Sequence, residues 1–491
     1  MKKYCVMSAL FLIFSISSCS SSASEIVFKR YTDYKSDVDT YAAIYGEGYY
    51  KPAFYNEISY ENDKGNIETI KDFDELYRDD GISYNVHSVG KQNILVIPVD
   101  FSDYPCSGLS EGCTIAKTNI ENAFFGSDEM VEWESVASFY NKSSYGKLIL
   151  DGKVTDWFTS SSFTAQGLST STARYGTIKE IRREALEWYS TKYSDIANYY
   201  IDGDVAKGVA LYLIYDYPYD SSSDSRSKVF WAYTISQPCA TSWSSYTLCM
   251  PQNGKVDSHT YIHETGHLFG LTDYYNTNNI GGYGPTGRLD MMDYTIGDHT
   301  GYSKMLLNWT RPYVITGNAT LTICPFTSSG DLILIKNSWN GSSMDEYLLL
   351  EFYVPEGLNQ RDDSYLVSQC GVKVYHVDSR IGFSMADLNG QKIGYIDNTH
   401  LSKDNYHLSI LNNNSDHTFQ NNKLYTLLES SGYNTFESGG YASNATLFKK
   451  GSSFGFTTFK DYQFNDGGYA PFKFTIDSVT NTYATISFIP R

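Results

Sequence analysis

His263, Glu264, His267 and Asp273 stand within eleven residues, in the run His263-Glu264-Thr265-Gly266-His267-Leu268-Phe269-Gly270-Leu271-Thr272-Asp273. The pattern predicts a helix over Ser258 to Phe269. At about 3.6 residues per turn, His263 and His267 then project from one face, a turn apart. Zinc takes nitrogen, sulfur and carboxylate ligands in a roughly tetrahedral set, and a catalytic site needs three protein ligands and an open position for water. Two imidazoles come from the helix. Gly270 can adopt the backbone that ends a helix and turns the chain back, which makes Asp273 the expected third ligand. Glu264 stands on the helix flank beside the metal, where a carboxylate can take a proton from the metal's water, so it is the expected general base. Zinc lowers the pKa of that water to about 7 and polarises a carbonyl. The chemistry read from these residues is amide hydrolysis near neutral pH.

With 9 histidines in 491 residues, His-Glu-x-x-His arises by accident in roughly one per cent of such chains, and Gly and Asp at fixed offsets lower this by about a few hundredfold. Asp273 also has a plainer reading, a carboxylate stabilising the turn after the helix.

A second segment lies downstream: Gly287-Arg288-Leu289-Asp290-Met291-Met292-Asp293-Tyr294, then Gly297-Asp298-His299-Thr300-Gly301-Tyr302-Ser303-Lys304. With the extended zinc motif ending in Asp, these stretches give the chain its resemblance to the immune inhibitor A family of secreted bacterial metalloproteases, relatives of the metzincins. The likeness includes Ile97-Pro98-Val99-Asp100-Phe101-Ser102-Asp103 and Phe139-Tyr140-x-x-Ser143-Ser144-Tyr145-Gly146-Lys147-Leu148 upstream. Further on, Glu346 to Glu351 and Gly371 to Asp378 look like the family's β-rich extension, so the resemblance runs from about Gln92 to near the C-terminus.

What the resemblance implies is a Met-turn, a methionine forming an apolar floor beneath the metal. Met292 aligns best, with Met291 as its rival, and its work would be packing by a polarisable thioether. Tyr294 falls where related enzymes can carry an oxyanion-stabilising tyrosine; a buried structural tyrosine is the other reading. Where the family often has an Asp-rich, calcium-like loop, this chain has Tyr199-Tyr200-Ile201-Asp202-Gly203-Asp204-Val205-Ala206-Lys207-Gly208. Its carboxylates are too few and badly spaced for an EF-hand-like cage, leaving calcium unsupported there.

The elements that must position these residues are legible as patterns. Ile94 to Phe101 and Val209 to Tyr215 read as strands, and Thr177-Ile178-Lys179-Glu180 reads as a capping box opening a helix. Ile178, Ile181, Ala185 and Trp188 would turn that helix onto the sheet. Val229 to Ile235, after a Ser221-to-Ser227 loop, is the candidate cleft-rim strand; in the related zinc proteases such a strand pairs with extended substrate. Beyond Pro312, short β-branched and aromatic runs follow: Ala319 to Cys324, Leu332 to Lys336, Tyr347 to Val354, Val372 to Val377, Phe472 to Ile476 and Ala484 to Ile489. This is a β-sandwich pattern. His376 lies in a strand with no other ligand nearby in sequence and reads as structural.

Lys2-Lys3, an apolar run from Tyr4 to Ile16 and Ser17-Ser18-Cys19 look like a lipoprotein signal peptide cut before Cys19. Thirteen residues are too few to span a membrane. Lipidation of Cys19 implies a bacterial lipid anchor, and the serine tract after it a flexible tether. With Cys5 in the leader and Cys19 in the anchor, six cysteines remain: Cys106, Cys113, Cys239, Cys249, Cys324 and Cys370. Chain neighbours suggest 106 with 113, 239 with 249 and 324 with 370, although six cysteines allow fifteen pairings. Disulfides suit an exported protein.

Loss of residues 1–18 removes two lysines and takes the formal charge from −18 to −20. That acidity makes nucleic acid a poor partner. Residues 19–88, with acidic stretches such as Asp72 to Tyr77, form the tether and either a prosegment over the cleft or a spacer. The whole reads as α+β: a metzincin-like zinc protease domain over 89–312, with a mixed twisted sheet and an active-site helix, then a β-sandwich-like region over 313–491. The expected protein is an exported, lipid-anchored zinc endopeptidase at the outer face of a bacterial cell, or shed from it, cutting proteins in extended conformation. A catalytically silent zinc-binding adhesin and a cell-envelope peptide amidase are the rival readings.

Overall fold

A computed structural model of the chain describes residues 44–46, 48–51, 58–61, 67–70, 86, 88–169, 174–195, 200–201, 204–205, 209–218, 230–235, 241–251, 253–275, 284–360, 366–386, 392–395, 406–408, 412 and 423–491. The leader, Cys19, the Asp72-to-Tyr77 stretch, the Ser221-to-Ser227 loop, Cys239 and most of the Tyr199-to-Gly208 segment lie outside the described residues. The architecture is mixed α and β, with several sheets and few helices.

Val209–Tyr215 is an uninterrupted apolar and aromatic run, and all seven of its residues are buried. Such a strand suits the interior of a parallel sheet covered on both faces. It pairs in parallel with Gly90–Phe101 on one side and Thr241–Ser245 on the other. Gly90–Phe101 in turn pairs in parallel with Leu148–Val154 and Phe158–Ser160. The far edge is Tyr233–Ile235, antiparallel to Thr241–Ser245.

Side chains alternate across this sheet with the strand period of two. Leu95, Ile97, Val99, Leu211 and Leu213 face one way, onto Ile178, Ile181, Ala185, Leu186 and Tyr189 of the helix Arg174–Lys192. Ile94, Val96, Tyr212 and Ile214 face the other, onto the helices Gly112–Phe125, Val136–Ser143 and His259–Leu268.

Two boundaries differ from expectation. The helix begins at Arg174, so Thr177 lies inside its first turn and the capping-box sequence does not mark the start. Arg174 and Tyr175 are adequate helix formers, and nothing in them stops the helix from extending backwards. Among the described residues of the expected rim strand, only Tyr233–Ile235 is strand, and Val229 lies outside them. Phe230 is drawn into the core instead, 4.5 Å from the Tyr217 ring and 5.3 Å from that of Tyr215.

The C-terminal half contains a seven-stranded sheet ordered Ile44–Gly46, Tyr49–Lys51, Tyr313–Ile315, Leu332–Ile335, Glu346–Tyr353, Gly371–Asp378 and Tyr425–Leu428. A four-stranded sheet, Ala319–Ile323, Ala484–Pro490, Phe472–Val479 and Ser453–Phe454, packs against it. Ile333, Ile335, Leu348, Leu350, Phe352 and Val374 meet Ile323, Phe474, Ile476, Ile486 and Phe488 in that sandwich core. The alternate residues Leu332, Leu334, Tyr347, Leu349 and Tyr375 join the core that holds the site helix. The large sheet is therefore a middle layer, buried on both faces. A hairpin from the segment expected to be tether supplies its edge, with Tyr50 opposite Val314.

Cys106 is bonded to Cys113, as its spacing suggests. The other two expected pairs are not formed: Cys249 and Cys370 are free thiols. Cys324 is in a disulfide, so its partner lies outside the described residues. Cys249 is fully buried in the main core, and chain proximity says nothing about which cysteines the fold brings together.

Candidate metal centre

The site helix His259–Leu268 ends in a hydrogen-bonded reversal. Gly270 takes a left-handed φ of 89°, its N–H donates to His267 O at 3.0 Å, and Leu271 N–H donates to Gly266 O at 3.0 Å. This glycine-terminated double closure satisfies the last helical carbonyls and sends the chain back along the helix. Asp273 arrives where the turn was expected to bring it. Its Oδ1 lies 3.2 Å from Nε2 of His263 and 3.2 Å from Nε2 of His267. The three ligand atoms lie within 4.8 Å of one another, and this is the one such group among the described residues.

The backs of the rings explain why the nitrogens converge. Nδ1 of His263 faces Met291 O at 2.8 Å, and Nδ1 of His267 faces Leu271 O at 2.7 Å. A carbonyl can only accept, so each Nδ1 carries the proton and Nε2 is the nitrogen left to bind metal. Asp273 Oδ1 is buried and accepts no aligned hydrogen bond, despite its two close nitrogen neighbours. Three lone-pair donors facing a common point, one of them an orphaned carboxylate oxygen, fit a divalent metal of the zinc class.

The electrostatics agree. Burial disfavours charge on His267, yet the Asp273 carboxylate prevails and raises the ring to about 9. Against the same burial, His267 and then His263 hold Asp273 well below the usual carboxylate range. The group favours one positive charge among its donors, which a proton or a metal ion can supply. Burial and then the Asp273 carboxylate push the phenol of the adjacent Tyr275 well up.

Glu264 is buried on the helix flank. Its Oε2 accepts from Thr234 Oγ1 at 2.9 Å, and the same hydroxyl lies 3.0 Å from Glu264 O. Thr234 is the middle residue of the edge strand, so helix and rim are joined at this carboxylate. Burial pushes Glu264 up, opposed by His267, His263 and the Thr234 hydroxyl.

Met291 and Met292 are fully buried in the short helix Met291–Tyr294. Met292 lies under the site helix: a Cβ built on Gly266 would stand 2.4 Å from its Sδ. Met292 O accepts Tyr274 N–H at 2.9 Å, tying the Asp273 segment to this floor. Met291 contributes through its carbonyl rather than its thioether. Asp290 caps the turn, accepting from Met292 N–H at 2.6 Å and from the backbone and hydroxyl of Thr300 at 3.0 and 2.7 Å. Burial pushes the Asp290 carboxyl up to about 7, opposed by these donors. The Tyr294 ring meets the Arg288 guanidinium at 4.8 Å and Tyr441 edge-on at 6.3 Å.

The remaining motif residues form the support behind the site. Tyr140 donates to Ile262 O at 2.8 Å on the site helix. Ser143 donates to Asp298 at 2.6 Å, and Asp298 pairs with the fully buried Lys304 at 2.6 Å. His376 bridges Glu346 and Tyr462 at 2.9 Å each, in the structural role expected.

Sequence reading did not reach Thr234, Tyr275 or the carbonyls of Met291 and Leu271. Tyr275 alone had a local signal, its place two residues after a ligand. Comparison of the chain with family models and with curated proteins found no match.

Proposed function

We propose that the chain is a zinc-dependent endopeptidase of the immune inhibitor A type, with a metzincin-like catalytic region, exported and lipid-anchored through Cys19. The observation that carries this reading is the convergence of His263 Nε2, His267 Nε2 and Asp273 Oδ1 beside the buried carboxylate of Glu264. Zinc bound there would supply Lewis-acid polarisation of a carbonyl and acidification of water.

The chain's own groups supply the rest. Glu264, made more basic by burial, accepts a proton from the attacking water and returns it to the leaving nitrogen. Thr234 holds that carboxylate in place at 2.9 Å. The edge strand Tyr233–Ile235 pairs through one side with Thr241–Ser245. Its other edge, unpaired among the described residues, offers N–H and C=O groups to an extended peptide, a mode that tolerates many sequences.

The test compares the purified full chain with its Glu264→Ala variant, measuring bound zinc and hydrolysis of unfolded casein. Glu264 is not a ligand, so both proteins should hold one zinc, while turnover falls by about 10²–10⁴ in the variant. A chelator should abolish wild-type activity. Wild type without zinc would overturn the reading. If both proteins hold zinc and neither cuts, even after removal of the N-terminal segment, the result favours an adhesin or a narrow-specificity envelope amidase.

A further inference from the structure

The chain enters the methionine floor through a turn in which an arginine holds a backbone conformation that favours glycine. Gly287 and Arg288 both have positive φ, 68° and 64°. Glycine takes this left-handed region freely and asparagine readily, whereas for arginine it is strained. The buried Asp293 carboxylate secures the strained residue, accepting from Arg288 N–H at 2.8 Å and from the Thr286 hydroxyl. The C-terminal region fastens the same turn: Leu427 N–H donates to Pro285 O at 2.8 Å and Ala442 N–H to Gly287 O at 2.9 Å. A Cβ on Gly287 would stand 2.8 Å from that of Ala442. Strain held in place by so many contacts directs attention to what the side chain does.

That side chain is a cation framed by two rings. The Arg288 guanidinium lies 4.8 Å from the Tyr294 ring centroid and 3.9 Å from that of Tyr441, and its Nη1 donates to the Tyr441 hydroxyl. Arg288 and Tyr294 are half-buried and Tyr441 is 41% exposed, so the group faces solvent. Tyr294 closes the short helix whose Met291 carbonyl orients His263. Burial pushes the Asp293 carboxyl up to about 6; Thr286, the Arg288 N–H and the Arg288 charge oppose the rise, and Asp273 adds to it. Arg288 and the proposed ligand Asp273 thus act on one and the same carboxylate.

We propose, building on the endopeptidase reading, that Arg288, framed by Tyr294 and Tyr441, is a specificity-determining residue that receives an acidic side chain of the substrate near the scissile bond. A guanidinium is planar, keeps its charge at all working pH values and matches a carboxylate with parallel N–H donors. Stacking on the two rings fixes its plane, so little freedom is lost when the carboxylate arrives.

The surrounding charge makes such a group necessary for that choice. With a formal charge of −18, the molecule as a whole repels acidic segments, and a carboxylate is accepted only where a local cation outweighs that field. Backbone pairing along the edge strand tolerates many sequences, so preference has to come from side-chain contacts of this kind. Tyr441 belongs to the C-terminal half, which in this way takes part in selecting the substrate.

The experiment measures kcat/KM of the full chain on fluorogenic peptides in which one Glu is moved through the positions flanking the scissile bond. Each peptide is paired with its Gln counterpart and made with an amidated or a free C-terminus. Wild type should prefer Glu over Gln by about tenfold or more at one position of the amidated series. Arg288→Asn, which keeps the left-handed backbone, should bring that ratio near one. Arg288→Lys keeps the charge without the fork and should lower the ratio part of the way; it serves as the comparison if Arg288→Asn fails to fold. A ratio within one protein is insensitive to any general loss of turnover. The same pairs are titrated by fluorescence anisotropy onto Glu264→Ala, with and without Arg288→Asn. Glu-selective binding without cleavage, lost on Arg288→Asn, would sustain the subsite and overturn the endopeptidase reading. Cleavage with no Glu preference, with a preference that survives Arg288→Asn, or with one confined to free C-termini would overturn the acidic side-chain subsite and leave that reading standing. Neither cleavage nor Glu-selective binding would overturn both.

Discussion

Two backbone carbonyls decide the chemistry of the histidines. By engaging both Nδ1 protons, Met291 and Leu271 turn both Nε2 lone pairs towards Asp273, so the convergence of the proposed ligands is set by two groups outside the ligand set. The floor is equally specific. Gly266 sits where a methyl group would stand 2.4 Å from Met292 Sδ, and Met292 is fully buried. In an open helix, glycine to alanine is stabilising by about 1 kcal/mol. Here overpacking should reverse the sign, so Gly266→Ala is expected to destabilise by about 1–3 kcal/mol and to speed zinc loss to a chelator. Met292→Leu, which nearly conserves volume, should cost less than about 1.5 kcal/mol and keep its zinc. Thermal melts with zinc release measured in parallel separate these outcomes, and a stabilised Gly266→Ala would sink the idea of a tight floor.

At the scale of elements, the helix Val136–Ser143 and the helix Gly301–Leu306 are joined through one buried ion pair. Ser143 and Lys304 both reach Asp298, and Tyr145 lies 3.1 Å from the same Lys304 nitrogen. Removing the lysine strands a carboxylate in the core. Lys304→Met should therefore cost about 3–5 kcal/mol in urea unfolding, with Asp298→Asn in the same chain recovering much of the loss. These elements were readable where the pattern was local and periodic. The site helix was expected over Ser258 to Phe269 and runs His259–Leu268, the central strand matches residue for residue, and the C-terminal strands fall where β-branched runs predicted them. The His-His-Asp cluster was legible because its spacing is itself the geometry. Thr234 on Glu264 and Met291 on His263 were not, because residues 30 and 28 apart meet only through tertiary packing. The same holds for the failed cysteine pairs and for the hairpin at Tyr49–Lys51, whose place in the large sheet depends on Val314 and Ile315 far along the chain.

The whole molecule is layered as helices and sheet, then the seven-stranded middle sheet, then the four-stranded outer sheet. Leu332, Leu349 and Tyr347 belong to the core that contains the site helix, and Glu351 accepts Gly301 N–H at 2.8 Å across the junction. A fragment of residues 89–312 would expose that apolar wall and lose its covering sheet. It should show no cooperative melt by circular dichroism and retain no zinc, whereas the full chain should melt cooperatively and hold zinc; a folded, zinc-holding fragment would show instead that residues 89–312 are self-sufficient. A sheet with two buried faces also constrains inheritance. A recombination that replaced everything after Pro312 would rebuild a wall of the core that holds the site helix along with the appendage, and each new side chain would have to match the old helices. The shared wall therefore predicts that the two halves are inherited as one block, not exchanged as separate cassettes.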